Sequence, residues 1–246
     1  MRTFAFAGRN HKEMTRDGAA LGFALGMPLL MLVIWMIIAK AVPGDFMPAN
    51  FQLENYIPGV ALFGMTFLSM FLGILIAQDR ATSYLGRLFA GPMRTQEYLL
   101  GYMLPMLPLA LMQILLVLVI GLLIGLSLTV GQVLATAGLL FLCVPMFLSM
   151  GLFLGSLLGD KAVAPVSSIL VQLMALTSGM MLDVEMIGGG YGAFCKALPF
   201  YHGLRLCSGV ARGDMSGWLS HALVVIGYTM VMGILALIVF RKRQKS

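Results

Sequence analysis

Charge is scarce in this sequence. Of its 246 residues, 11% are Asp, Glu, Lys or Arg, while 60% are hydrophobic, and the mean hydropathy is +0.95. A soluble domain carries about a quarter charged residues and under half apolar ones. That balance excludes a soluble enzyme and a nucleic-acid-binding module. No G-x-x-x-x-G-K-[ST] occurs, so the chain has no phosphate-binding P-loop of its own. The three histidines, His11, His202 and His221, are scattered and form no H-E-x-x-H, so no metal site is indicated. Ser156 and His202 fall at opposite ends of the apolar stretches, which argues against an intramembrane serine protease. All ten acids lie in loops or at the ends of those stretches. Ion-coupled transporters usually need ionisable groups inside the bilayer, and this chain offers none.

What remains is long apolar runs. Six can be read, near 19–39, 57–77, 99–126, 133–158, 162–182 and 219–240. Each suits a bilayer core that takes about 20 helical residues to cross. Unpaired backbone is not tolerated in lipid, and the short alternating segments of a barrel are missing, so the expected class is an all-α membrane protein of six transmembrane helices. The third and fourth runs exceed the core thickness and should tilt or kink, with Pro105, Pro108 and Pro145 supplying the bend. Twelve of the sixteen basic residues fall on the side shared by the two termini. They are Arg2, Arg9, Lys12, Arg16, Arg80, Arg87, Arg94, Lys161, Arg241, Lys242, Arg243 and Lys245. Lys40, Lys196, Arg205 and Arg212 fall on the other. The positive-inside rule then places both termini, including the tail 241–246, in the cytoplasm.

The segments between the runs carry their own patterns. Residues 1–18 read either as an interfacial helix, with Phe4, Ala7 and His11 near one face, or as a charged flank that fixes topology. The outer segment 183–218 holds Gly188-Gly189-Gly190 and then turns amphipathic through Phe194, Leu198, Phe200 and Tyr201, which suits re-entrant helices. Cys195 and Cys207 lie in it twelve residues apart, either bonded or as free thiols. The cytoplasmic loop 78–98 sets Tyr84, Leu85, Leu88 and Phe89 among Arg80, Arg87 and Arg94 before Gly91-Pro92. A helix of that kind docks into a groove on another protein or lies on anionic lipid.

Within the runs, Gly18, Gly22 and Gly26 recur every fourth residue, as do Gly151, Gly155 and Gly159, allowing close helix approach. Ser168, Gln172, Ala175 and Gly179 share one helical face, and Gly59, Thr66 and Gly73 recur every seventh residue with Ser69 beside them. Two such faces could line a mildly polar conduit, with Thr66, Ser69, Ser168 and Gln172 along it, or could simply hold helices together. The 21 methionines supply adaptable apolar walls without identifying a ligand.

Several short motifs, in order, resemble one family. Asp79-Arg80, Arg87-Leu88, Gly91-Pro92 and Tyr98-Leu99-Leu100-Gly101 are similar to the corresponding loop of ABC-2 type exporter permeases. So are Arg9-Asn10, Lys12-Glu13 and Arg16-Asp17 before the first run, and Pro28-Leu29 inside it. Tyr56-Ile57-Pro58-Gly59 and Ala197-Leu198-Pro199-Phe200-Tyr201 add to the resemblance. Ala81-Thr82-Ser83 departs from the family's usual Glu-x-Gly and so removes an acid from the coupling surface.

The resemblance implies a single transmembrane domain over 1–246 acting as the permease subunit of an ATP-driven exporter in a prokaryotic plasma membrane. It implies a second permease copy, identical or not, and two cytoplasmic ATPase subunits that hold ATP and Mg, so this chain needs no cofactor. The cargo would be a hydrophobic or amphipathic drug, antibiotic peptide or lipid-like molecule. Loop 78–98 would be the coupling helix, with Arg80, Tyr84, Arg87, Leu88 and Arg94 as its contact residues. The rival expectation is a non-transporting scaffold or immunity protein that binds an antibiotic or a partner through Phe200 and Tyr201 of the outer segment.

Overall fold

The computed structural model describes residues 2–42, 46–82 and 93–244. Among them every regular element is helical. The helices are α1 (Arg2–Arg16), α2 (Gly18–Ala41), α3 (Leu53–Ala81), α4 (Thr95–Met103), α5 (Met106–Leu123), α6 (Val130–Leu157), α7 (Asp160–Thr177), α8 (Val184–Ile187), α9 (Gly189–Ala197), α10 (Pro199–Arg212) and α11 (Trp218–Gln244). A short 3-10 turn, Ala49–Phe51, precedes α3. Five stretches among the described residues are long and apolar enough to cross a membrane: Leu21–Ala41, Leu53–Ala81, Thr95–Leu123, Val130–Leu157 and Trp218–Arg243. The chain is a multi-pass membrane protein.

Helix α3 is the centre. Its most apolar window is 83% buried, against 17% for α2 and for α11. Helix α3 touches α2, α5, α6, α7 and α10. Its closest neighbour is α6. A Cβ on Gly155 would come within 2.5 Å of the Gly73 carbonyl oxygen, and one on Gly151 would collide with the Ser69 carbonyl. These glycines allow backbone to lie against backbone. The expected spacing of small residues in the fourth run therefore serves packing within the chain. Gly18, Gly22 and Gly26 differ, since a Cβ at any of them would meet nothing within 4 Å.

The third run is broken as its prolines foretell. Helix α4 ends at Met103, and α5 starts at Met106 after Pro105, which has no N–H to continue the ladder. Pro145, by contrast, is accommodated inside a continuous α6. Helix α6 begins with a capping box: Thr129 Oγ1 accepts from Gln132 N–H at 3.3 Å, and Gln132 Oε1 accepts from Thr129 N–H at 2.9 Å.

The fifth run ends five residues earlier than expected. Gly179 adopts φ +93°, which stops α7 at Thr177. The freed carbonyls find asparagine amides: Asn50 Nδ2 donates to Met181 O at 2.8 Å, and Asn55 Nδ2 to Gly179 O at 3.3 Å. Helix α7 thus runs from Gly159, near Arg80, to this asparagine end. The outer segment forms α8, α9 and α10. Pro199 opens α10 at its first turn, and Gly213 closes it at φ +73° with Asp214 N–H bonded to Gly209 O at 2.8 Å. Helix α10 packs against α3, α6 and α11.

The glycine seam generates a contrast that can be measured. Gly151→Leu should destabilise the purified protein by about 1–3 kcal/mol through overpacking, seen as a lower midpoint in thermal unfolding. In the purified chain held as a monomer, Gly22→Leu should not lower that midpoint, because its face of α2 is open in the single chain.

Candidate coupling junction and transport face

Asp79 lies near the end of α3 and is 4% exposed. A buried carboxylate needs partners that offset its lost hydration. Arg9 of α1 supplies a two-pronged pair, Nη1 to Oδ2 at 2.7 Å and Nη2 to Oδ1 at 2.9 Å. The Tyr102 hydroxyl of α4 donates to Oδ2 at 2.7 Å. Such forked, charge-assisted bonds fix orientation as well as position. Arg9 Nη2 also meets Glu13 Oε2 at 2.7 Å. Burial pushes the Glu13 carboxyl pKa up, and the Arg9 guanidinium opposes that shift.

Apolar packing completes the dock. The Phe6 ring meets Tyr98 and Tyr102 edge-on, at centroid distances of 5.8 Å and 5.0 Å. It fills the space that a side chain on Gly101 would occupy. Asn10, fully buried, donates from Nδ2 to Gly101 O at 3.1 Å. The amphipathic face expected for the amino-terminal helix needs correction. Phe6, Asn10 and Met14 turn inward on a spacing of four, while Phe4 is 73% exposed and His11 faces outward. Phe6 takes the inward position because the Gly101 notch admits its ring.

Arg80, the next residue, is held by a different part of the chain. Its Nη1 donates to Gly155 O at 2.9 Å, Ser156 O at 2.7 Å and Leu158 O at 3.1 Å. Those are carbonyls at the carboxyl end of α6, where a cation is favoured. Arg80 therefore fastens α3 to the α6–α7 corner. Arg94 begins α4, with Glu97 Oε2 accepting its backbone N–H at 2.6 Å, and its side chain borders a cavity shared with Arg241. Tyr84, Arg87 and Leu88 lie outside the described residues.

The four residues expected along a conduit divide into two pairs. Ser168 and Gln172 lie on one exposed face of α7. They line a groove of about 420 Å³ whose other walls include Phe23 and Met27 of α2 and Phe67, Met70 and Phe71 of α3. Thr66 and Ser69 are fully buried. Thr66 Oγ1 donates to Phe63 O at 2.5 Å, and Ser69 sits in the α3–α6 seam. Ser69 Oγ has no hydrogen-bond partner among the described residues. These two do not share the groove, because the seven-residue repeat of α3 faces inward.

At the far end, Glu185 pairs with Arg205 and accepts a hydrogen bond from Tyr201 at 3.2 Å. Phe200 stacks on Phe147 at 5.9 Å and is 2% exposed. Phe200 and Tyr201 thus point into the bundle. The three cysteines are free and buried. Cys195 belongs to a small cluster with Val184 and Tyr201, whereas Cys207 belongs to the main core.

Arg9, Asn10, Asp79 and Tyr102 were not among the site residues expected from sequence. All but Tyr102 belong to the motifs quoted above, and Tyr102 follows one directly. Pairing between segments seventy residues apart leaves no periodic trace in one sequence.

The chain is similar to known transport proteins. A family model described as "ABC-2 type transporter" matches residues 1–211. The chain is 24% identical over 235 residues to a Bacillus subtilis (strain 168) protein named "Putative transport permease YvfS". The alignment covers 94% of this chain and 95% of that one.

Arg9→Ala would leave Asp79 a buried charge with its main partner gone, at a cost of about 3–5 kcal/mol. Helix α1 should then detach, and trypsin should cut at Lys12 and Arg16 faster in isolated membranes. In Arg9→Ala/Asp79→Ala the added cleavage should be smaller than the sum of the single effects, since the two share one interaction.

Proposed function

The chain belongs to the ABC-2 type transporter family, and on that premise we propose that it is the membrane-spanning permease subunit of an exporter driven by a separate ATPase. The observation that carries the reading is the Asp79–Arg80 pair. These neighbours tie the end of α3 to two separate bodies, α1 through Arg9 and the α6–α7 corner through the Gly155, Ser156 and Leu158 carbonyls. The proposed coupling segment starts directly after them, so a push on it would reach both bodies through two residues.

Six crossings fit the geometry. Phe6 packs on Tyr98, and Tyr98 lies 6.3 Å from the Phe240 ring, so both chain ends meet at one end of the bundle. In this reading the number of crossings is even. Helix α7, with 18 residues, is about 27 Å long at 1.5 Å per residue and would be the sixth. The basic residues gathered at that end support a cytoplasmic placement for it.

In this reading Arg87, Tyr84 and Leu88 meet an ATPase, with Arg94 flanking them. Arg80 acts from inside, as the link between the coupling segment and α6. A second permease copy packs on the open Gly18–Gly22–Gly26 face of α2. The groove beneath Ser168 and Gln172 then faces the partner copy and takes an amphipathic cargo, its apolar part against Phe67 and Phe71. Energy has to come from outside the chain, since the spans hold no ionisable relay to draw on an ion gradient. Phe200 and Tyr201, turned inward, give the scaffold reading little surface to bind with.

A carboxyl-terminally tagged chain, gently extracted from its native membranes, should bring down a stoichiometric ATPase. Arg87→Glu should lose it while inserting normally. Gln172→Trp should keep the ATPase and block export by filling the groove. Retention of the ATPase and of coupled hydrolysis in Arg87→Glu would sink the coupling assignment.

A further inference from the structure

A second face of the molecule, which reaches Arg94 beside the proposed coupling segment, carries chemistry that the proposed cargo path does not use. Between α4, α6 and α11 runs an open slot of about 410 Å³. Leu100 and Met103 form one wall, and Met230, Ile234 and Leu237 form the other. Leu100, Met230 and Ile234 are each more than half exposed. Gly233 keeps the slot open, because a Cβ there would meet only Ser149 Oγ, at 3.8 Å. The slot continues into a cavity of about 470 Å³ at the end of the bundle that holds both termini, since Gln96 and Leu237 line both. Arg94 and Arg241 border that second cavity.

The two cavities together have the shape and polarity of one amphiphile. Two guanidiniums stand at the mouth, and the amino end of α4 adds its partial positive charge. The acid of the first turn of α4, Glu97, accepts the Arg94 backbone N–H. Behind it the apolar slot runs along α11 as far as Thr229. Twelve residues of helix separate Thr229 from Arg241, a rise of about 18 Å, close to the depth of one leaflet.

We propose that this groove is a binding site for an anionic phospholipid of the cytoplasmic leaflet. The headgroup phosphate bonds to Arg94 and Arg241, and one acyl chain lies in the slot past Gly233. Charge complementarity chooses this occupant. A zwitterionic lipid would bring its own cation against two arginines, and a protein helix would need an acidic end at that point. Such a lipid would link α4 to α11. The inference needs the chain in a bilayer with Arg94 and Arg241 at a headgroup surface. It does not depend on the cargo or on an ATPase.

Native mass spectrometry of the full-length purified chain tests this, with phosphatidylglycerol or phosphatidylcholine added in equal amounts. The wild type should retain phosphatidylglycerol about tenfold more strongly, given the contribution of each basic residue near an anionic headgroup. Arg94→Gln/Arg241→Gln should abolish the preference, and Arg94→Lys/Arg241→Lys should keep most of it. Gly233→Phe should lower retention of both lipids by filling the slot. Circular dichroism and a monodisperse elution profile confirm that each variant is folded. Equal retention of the two lipids by the wild type would overturn the proposal, and so would an unchanged preference in the Gln variant.

Discussion

The close approach of α3 to α6 sets the position of everything else. Lipid gives helices no hydrophobic reason to associate, so association depends on packing and on the few polar bonds available. Here Gly73, Gly151 and Gly155 let the two backbones meet with no side chain between them. Once that seam is closed, α3 is enclosed by α2, α5, α7 and α10. Its last turn then arrives beside the carboxyl end of α6, within reach for Arg80. A bulkier residue in the seam would move Arg80 off those carbonyls and Asp79 away from Arg9.

Polarity is distributed by the same constraint. Burying charge in the bilayer core is expensive, so the ion pairs sit at the two ends of the bundle. At one end Asp79 gathers Arg9 and Tyr102. At the other, Glu185 gathers Arg205 and Tyr201. Between them, some buried hydroxyls are satisfied within their own helix, as when the Thr66 hydroxyl bonds to Phe63 O. Ser69 Oγ, unpartnered among the described residues, is a cost carried inside the seam.

Much of this was legible in the sequence. Apolar run length anticipated the five stretches among the described residues that are long and apolar enough to cross a membrane. Pro105 marked the break in the third run, and Gly151 and Gly155 marked a close contact. The end of α7 was misplaced because its apolar pattern continues through Met180 and Met181. The helix stops there owing to the Gly179 conformation and the Asn50 and Asn55 amides, both tertiary effects. Which face of α1 turns toward the bundle left no sequence signal for a similar reason. Phe4 and Phe6 are equally apolar, and only the notch at Gly101 chooses between them. Of the four residues expected along a conduit, the structure brings two onto one face. Ser168 and Gln172 share a groove, but Thr66 and Ser69 were assigned by spacing alone, and spacing does not say which face is buried.

The surfaces left open differ in kind, and the difference bears on how the molecule works. The α2 face carries small residues, Gly18, Gly22 and Gly26, where a second copy would need close approach, and the neighbouring α7 groove is walled mainly by Phe and Met. The slot beside α11 is apolar too, but it ends in two arginines. Lipid tails alone would satisfy the first surface poorly, because glycine offers them few contacts. The second surface suits them well, provided the headgroup is an anion. On the proposed reading these roles belong apart, so that a cargo face is not held shut by lipid. The two faces lie on different helices, with α3 and α6 packed between them, which would give that separation.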